Sequence, residues 1–509
     1  MRVSYINHAS LLIETSGARI LTDPWFAGPA YASQWHQFPK PLNLELTEQA
    51  DTILVSHAHE DHLHEKSLAL LDKSKRVFYP FNWYGGTIEW ICSMGFGDVT
   101  EAISCRTYSL GGRTRVTFVV NGHDSIMVFE DGQEVVINVN DALHSSEPYV
   151  IDAFTDYLRQ RWPRIDVVLC GFGGASYFPN TIRGPGKNDR AVAWLREQLF
   201  AHNFCRIVSR LAPRLAVPFA ADFALLADRQ RWINDVRFPR EWLPGYFREM
   251  GGSAEIAIMY SGDQIVNGRL EARSPYRDRI ANNNDMLDLL TEQYPTPVSA
   301  LIVGAPYDDS KIEGLRKDFE RSLAEQSRFY DRANVDGLKF SVRLLDVAVS
   351  PWFNAAIGPG AGASVTRATE PMERRVAEID TTAEVLAKCM ESEWGGDAII
   401  IGYACDVRVM REQDLRNGLG KLCVELCVRH PRPKAYAMQH PLRIARFLAQ
   451  TPFKIGAQLR QRARAFGGRS RSIVNGSHWL LDSPGEIRRV CGLPECAPPA
   501  VGRLDVRQQ

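Results

Sequence analysis

Apolar and polar positions along this chain keep two rhythms, and the first of them is the strand rhythm. Val3, Tyr5 and then Leu11 to Ile13 precede the turn Ser16-Gly17, and Arg19 to Thr22 returns as a second strand, the pattern of a β-hairpin. Asp51 to Ser56, DTILVS, is a short apolar run of the kind that makes a buried strand. A helix is predicted at Glu65 to Ser74, then strands at Val77 to Tyr79, Val116 to Val120, Ser125 to Phe129 and Glu134 to Val139. Asp131-Gly132 is the hairpin turn between the last two. Helical spacing follows from about Glu147 to Gln160, a strand at Asp166 to Cys170, a helix at Asp189 to Leu211 and a short strand at Leu215 to Pro218. Strand-rich segments alternating with helices predict an α/β fold, an αββα sandwich with sheets inside and helices outside. This unit closes near residue 270, after Ile256 to Tyr260 and Gln264 to Asn267.

The remainder divides into an additional α+β region over 271–430, placed to cover the cleft, and a basic helical or irregular tail over 431–509. Within the first, Ser310 to Gln326 reads as a charged helix and Lys339 to Leu345 as a strand. Ser350 to Thr366, rich in Gly, Pro and Ala, reads as a loop or boundary. Asp380 to Ser392 looks helical, and Ala398 to Tyr403 (AIIIGY) reads as a buried strand. The basic cluster Arg460, Arg462, Arg464, Arg469 and Arg471 is read as a solvated helix face plus loop, ahead of an anionic-ligand site.

Composition narrows the function classes. The 509 residues carry 60 lysines and arginines against 60 aspartates and glutamates, so bulk charge indicates no polyanionic partner, and nucleic acid is not expected. The N-terminal apolar stretch is broken by Asn7, His8 and Ser10 and ended by Glu14, unlike a secretory signal. No apolar run is long enough to span a membrane, and a membrane role is not expected. Ten cysteines scattered through a large chain favour reduced thiols and a cytoplasmic setting. Cys423 with Cys427, and Cys491 with Cys496, lack the spacing of a zinc knuckle and are read as structural.

The chemistry concentrates in HAHEDH. His57, His59, Asp61 and His62 fall within six residues at the end of a buried strand, where a loop can splay them around one centre. Neutral imidazoles suit zinc or iron, and the carboxylate adds hard oxygen and charge compensation. Packing alone is a poor explanation, because clustered buried histidines without a cation are costly to desolvate. His64 lies just beyond and is expected to face solvent.

Ser-His-x-His-x-Asp-His after a buried strand resembles the signature motif of the metallo-β-lactamase superfamily. The resemblance implies that His57 and His59 serve one metal, with a more distant histidine, and that Asp61 and His62 serve a second. His123 is the natural third histidine and Asp141 the bridging aspartate, with His144 as the substitute for His123. Five blocks in order, HASLLIETSGARILTDPWFAGPAY, SHAHEDHL, VVINVNDA, DVVLCGFGGASYFP and VPFAADF, resemble the catalytic domain of the CMP-N-acetylneuraminate hydroxylases over roughly the first 225 residues. A weaker similarity lies around GDAIIIGY.

Hydrolases of the superfamily usually supply a final histidine after a late strand, where this chain reads Val217-Pro218-Phe219-Ala220; the hydroxylase-like branch shares that loss. The Rieske iron-sulfur domain of the animal hydroxylases needs paired Cys-x-His or Cys-x-x-His elements, and this chain has no such pair. The expectation is therefore an oxygenase with a non-haem, binuclear iron centre. It would act on a small polar substrate such as a sugar nucleotide or natural-product precursor and be fed by a separate electron donor. The alternative is a zinc hydrolase of an ester, lactone, amide or phosphodiester, with Asp61 positioning a metal-activated water; a third reading is a scaffold with a degenerate site. His8 and Asp61 are the catalytic candidates; His8 sits where the resembling family has a histidine close to the metal centre, or it is a core-edge residue. Asp23 either orients a ligand histidine or forms the turn before Pro24. Gly171, Gly173 and Gly174 allow close backbone approach. Trp25, Gly174, Ser176 and Tyr177 are the candidate substrate contacts, and Trp35 a further pocket aromatic, each against a packing role.

Overall fold

The structure is a computed structural model that describes residues 1–174, 180–185, 189–280, 283–295, 307–391, 394–430, 432–464 and 483–496. Two large sheets occupy the first half. One runs Arg269–Glu271, Gln264–Val266, Arg2–Asn7, Ser10–Glu14, Arg19–Thr22, Thr52–Leu54, Arg76–Pro80 and Val99–Ala102. The other runs Glu255–Ile256, Leu215–Phe219, Val167–Gly171, Glu134–Asn140, Asp124–Asp131, Thr114–Asn121 and Thr107–Gly111. The predicted hairpins form, with Glu14 opposite Arg19 and Asp131 opposite Glu134. The parallel pair Val167–Gly171 and Leu215–Phe219 is joined by the helix Asp189–Leu211, as parallel neighbours require a crossover.

Alternation along the strands assigns their two faces. Val3, Tyr5, Leu11 and Ile13 of the first sheet meet Phe118, Phe129, Leu169 and Val217 of the second in a shared core. On the outer side Leu12, Leu21 and Ile53 lie under the helices Glu65–Leu70 and Thr87–Ser93. Val128 and Ile137 lie under Pro148–Arg161 and Asp189–Leu211. The order is helix, sheet, sheet, helix, the expected sandwich. Each such side chain, fully buried, contributes about 1.5–3 kcal/mol.

A third sheet belongs mostly to the second half, in the order Ile182–Arg183, Asp406–Val409, Ala377–Thr381, Lys339–Leu344, Trp352–Ile357 and Ala363–Ala368. Its edge strand, Ile182–Arg183, comes from the first half and pairs with Val407 and Arg408. The helix Asp309–Ser327 packs on it, and Cys423 and Cys427 are buried in its core on the helix Leu419–Cys427.

Several expectations are corrected. Ser350 to Thr366 is not a loop: Trp352–Ile357 and Ala363–Ala368 pair antiparallel, and only the Gly-Pro-rich centre turns. Small residues there, such as the buried Ala355 opposite Val365, are packing partners for a covering helix rather than linker residues. Ala398 to Tyr403 is not a strand. It is a one-turn helix, Asp397–Ile400, followed by a turn. Its apolarity arises from its position between cores: Ile399 faces one cluster, and Ile401 and Tyr403 face another with Tyr31 and Trp35. The stretch Ile256 to Tyr260 keeps strand pairing only at Glu255–Ile256. Of the basic cluster, Arg460 is exposed on the helix Pro452–Arg464; the Arg462 and Arg464 side chains, Arg469 and Arg471 lie outside the described residues. Among the described residues no helix is long and apolar enough to cross a membrane.

Candidate metal centre

The strand Thr52–Leu54 lies parallel between Arg19–Thr22 and Arg76–Pro80, and the chain beyond it turns over the edge of the sheet. There His59 O accepts the backbone N–H groups of His62 and Leu63 at 3.0 and 2.8 Å, coiling the HAHEDHL segment tightly. Asp23, left-handed at φ 40°, pins it. Its Oδ1 accepts the Ser56 N–H at 2.6 Å and its Oδ2 the Ser56 hydroxyl at 2.9 Å. Asn140 donates to the same Oδ2. Oδ2 also faces His62 Nδ1 at 3.2 Å. Asp23 thus contacts one of the histidines it was expected to orient. With Nδ1–H directed to a carboxylate, Nε2 is the nitrogen of His62 that a cation can take in exchange for a proton.

Three overlapping sets of donors result, each with ligand atoms within 4.8 Å of one another: His8, Asp61 and His62; His57, His62 and Asp141; His57, His59 and Asp124. His62 Nε2 lies 3.3 Å from Asp61 Oδ2 and 3.5 Å from Asp141 Oδ2. His57 Nε2 lies 2.8 Å from His59 Nδ1 and 3.6 Å from Asp124 Oδ1. Among the described residues His62 Nε2, Asp124 Oδ1 and Asp141 Oδ1 are buried with no hydrogen-bond partner. Converging buried donors that lack donors of their own fit a bound cation, since buried polar atoms otherwise find partners.

The structure gathers His57, His59, Asp61, His62 and Asp141 from the sequence expectations. His123 stands at their margin: its side chain is 39% exposed, and its ring is 5.0 Å from that of His59. Asp124, which sequence reasoning missed, takes the inner place. It opens the strand Asp124–Asp131, and its Oδ1 lies 3.6 Å from His57 Nε2 and 3.7 Å from His123 Nε2, between the inner ring and the marginal one. The next residue anchors them, Ser125 Oγ donating to Ser56 O at 2.7 Å. His144 joins none of the three sets, although its Nδ1 is buried without a partner.

His8, left-handed at φ 51°, accepts the Asp222 N–H on Nδ1 at 3.1 Å. Its proton therefore sits on Nε2, directed at Asp61 Oδ2 at 2.9 Å. Tyr31, also missed, donates its hydroxyl to Asp61 Oδ1 at 2.5 Å. A separation of 30 positions left no sequence signal for this contact.

Electrostatics divides the imidazoles. Burial and the neighbouring His62 and His59 hold His57 well below the usual histidine range. Burial opposes a charge on His62, but Asp61, Asp141 and Asp23 overcome it and raise its pKa well above that range. Burial opposes ionisation of Asp61, yet His62 and His8 hold its carboxyl well below normal. Glu60, which accepts the Tyr31 N–H at 2.7 Å, is pushed up to about 7 by burial, with Asp61 adding to the rise.

Two substrate expectations are corrected and two fall elsewhere. Trp25 is fully buried, its indole N–H bonded to Gly28 O at 2.8 Å, and it packs edge-on to His8 at 5.1 Å with no face free for a ligand. Gly174 is also internal: its N–H reaches Glu197 at 3.3 Å, its carbonyl accepts the Tyr403 hydroxyl at 3.1 Å, and a Cβ there would meet Phe200 at 2.6 Å. Ser176 and Tyr177 lie outside the described residues. Trp35 stacks on Phe223 at 3.5 Å in the core. His64 does not face solvent; it is buried and caps the helix Glu65–Leu70 through Ser67, because the first backbone N–H groups of that helix need an acceptor.

Residues 2–119 match the family model described as a beta-lactamase superfamily domain, and they lie within the αββα sandwich of the first half. A Mycobacterium tuberculosis (strain H37Rv) protein named as a Rieske 2Fe-2S iron-sulfur protein is 27% identical over 248 residues, 46% of this chain and 46% of its own. The Danio rerio cytidine monophosphate-N-acetylneuraminic acid hydroxylase is 27% identical over 254 residues, 46% of this chain and 40% of its own. The matches thus span about half the length of these relatives or less. Similar solved structures include CmlA, a diiron β-hydroxylase from Streptomyces venezuelae (16% identity, 53% of this chain and 54% of that one, TM-score 0.35). An isothiocyanate hydrolase from Delia radicum gut bacteria is another (15% identity, 52% and 98%, TM-score 0.37). The resemblance to the hydroxylases read from the sequence blocks is borne out.

Proposed function

Taking the superfamily match over residues 2–119 as premise, we propose that this chain is a metal-dependent oxygenase with a non-haem, binuclear iron centre. It acts on a small polar substrate, such as a sugar nucleotide or natural-product precursor, and draws electrons from a separate donor. The observation that carries the reading is the chain of donor sets, in which His57 and His62 each belong to two. Adjacent sets of mixed imidazole and carboxylate donors suit iron at neighbouring positions. The sequence similarity to a hydroxylase supports oxidation over hydrolysis.

His57, His59 and Asp124 would hold one ion, and Asp61, His62 and Asp141 the other. A bound iron pair would supply the activation of dioxygen. Asp23 keeps the proton of His62 on Nδ1 and so leaves Nε2 to the metal. Ser56 Oγ, 2.9 Å from His57 Nδ1, similarly turns His57 Nε2 inward. His8 and Tyr31 fix both oxygens of Asp61, so we assign His8 a positioning role. After the strand Leu215–Phe219, where related hydrolases place a histidine, this chain has Ala220, whose N–H binds His8 O at 3.2 Å. Gly402 of the second half packs against Tyr31, where a Cβ would meet the Tyr31 Cβ at 2.5 Å, and this supports a covering role. We assign residues 271–430 the task of shaping the cleft.

Elemental analysis and optical spectroscopy of protein prepared without chelator test this reading. Two irons per chain, with a near-ultraviolet band that bleaches on reduction and returns with oxygen, are expected. Zinc alone, with refusal of iron, would replace the oxygenase by the hydrolase; refusal of both metals would remove the catalytic reading.

A further inference from the structure

Between Glu425 and Asp482 the chain has no acidic residue, yet it carries eleven lysines and arginines. In a sequence otherwise balanced in charge this is a segregated positive block. Three short helices run through it, Pro433–Gln439, Pro441–Ala449 and Pro452–Arg464. Their inner faces are docked. Tyr436 Oη accepts the Gly85 N–H at 2.9 Å, Arg443 pairs with Glu101 at 2.6 Å, and Lys454 donates to Asn121 Oδ1 at 2.6 Å.

The outer faces carry several exposed aliphatic side chains. Leu442 is 85% exposed and Met438 83%, the two most exposed large hydrophobic residues among those described, and Leu459 is 60% exposed. On the middle helix Leu442, Ala445, Leu448 and Ala449 form one outward stripe, at the spacing that places residues on a single helix face. The arrangement inverts that of a water-facing helix: Arg443 turns inward over the Phe81 ring at 4.3 Å, while leucines project outward. Arg446 leans over the same ring at 4.8 Å, and exposed Arg460 stands beside Leu459.

We propose that this face docks on an anionic membrane surface. Protruding aliphatic tips between cations match the depth profile of a bilayer interface, where side chains enter the acyl boundary and arginines stay at the headgroups. An acidic protein partner fits less well, because protein interfaces concentrate energy in aromatic anchors set in pockets, and the outward residues here are isolated aliphatics. The docked face adjoins the metal edge: Asn121, which Lys454 holds, lies three residues before Asp124, and Tyr436 packs on Trp83 at 5.7 Å. Docking would therefore set the cleft beside the membrane. The inference is independent of which metal is bound.

Flotation of the full chain with vesicles tests it. Vesicles with about one-third phosphatidylserine should retain the protein at least about tenfold better than pure phosphatidylcholine, and added salt should weaken retention. Leu442→Asp and Met438→Asp should each lower retention about tenfold, and Arg460→Glu about fivefold or more, with metal content unchanged in all three. Equal retention of variants and parent would overturn the proposal. So would failure to bind anionic vesicles, and salt-sensitive binding to a soluble acidic protein without vesicle binding would assign the face to a protein partner instead.

Discussion

Tyr31 and Asp61 meet through a hydrogen bond of 2.5 Å, and the backbone that delivers the phenol is left-handed at three successive positions. Tyr31, Ala32 and Ser33 have φ of 54°, 54° and 62°. Such conformations cost roughly 1–2 kcal/mol per non-glycine residue and persist only where surroundings over-determine them. Here Glu60 takes the Tyr31 N–H, and Gln34 N–H binds Tyr31 O at 3.1 Å. A side chain at Gly402 would overlap Tyr31 Cβ, so the second half also packs directly against this turn.

Tyr31→Phe should therefore act on the metal more than on the fold. The ring stays, and only the donor to Asp61 is lost. Affinity for the ion held by Asp61 should fall about 10- to 100-fold, the usual effect of removing a partner behind a ligand. Calorimetric titration with zinc would measure it. Unchanged affinity would reduce the phenol to a packing role.

Asp124 and His123 give opposite expectations for neighbouring residues. Asp124→Asn removes a buried oxygen that faces His57 at 3.6 Å, and should cost at least about tenfold in affinity for the first ion. His123→Ala removes a partly exposed ring at the margin and should change affinity by less than about threefold. Metal content after dialysis separates them, and the reverse order would restore His123 as the ligand.

How far these residues could be read beforehand follows from their distance in sequence. The sandwich was legible because Val3, Tyr5, Leu11 and Ile13 carry the strand rhythm, and HAHEDH because its donors are contiguous. His64 was misread because helix capping depends on where the helix begins, and AIIIGY because a short apolar run is buried equally as strand or helix. Tyr31 and Asp124 reach the centre only through tertiary packing, and nothing local announces that.

Gly171 tests how closely the centre is built. A Cβ there would lie 3.0 Å from both Asn140 O and Asp141 Oδ1, and 3.3 Å from His144 Nδ1. Gly171→Ala should push Asp141 from His62, lower metal affinity about tenfold, and cost about 1–3 kcal/mol of stability from overpacking. Thermal melts with and without zinc should show the larger loss in the metal-bound form. An equal loss in both would mean that the strand absorbs the methyl without moving Asp141.

Acidity should oppose metal binding, and His62 sets the direction. In the metal-free chain its pKa lies well above the usual histidine value, because three carboxylates outweigh the penalty of burial. Protonated His62 therefore stabilises the metal-free fold below the unfolded value of about 6.5, and this contribution is lost as pH rises through the raised pKa. A metal needs Nε2 without its proton, so each ion bound there displaces one, and affinity should rise about tenfold per pH unit until that pKa is passed. His57, already held neutral, adds no competing proton. Zinc affinity should climb with the slope of one proton as pH rises from about 6.5, while the metal-free protein loses the His62 contribution over the same rise. His62→Gln should flatten both trends, and a flat affinity profile in the parent would mean that His62 is not the ligand.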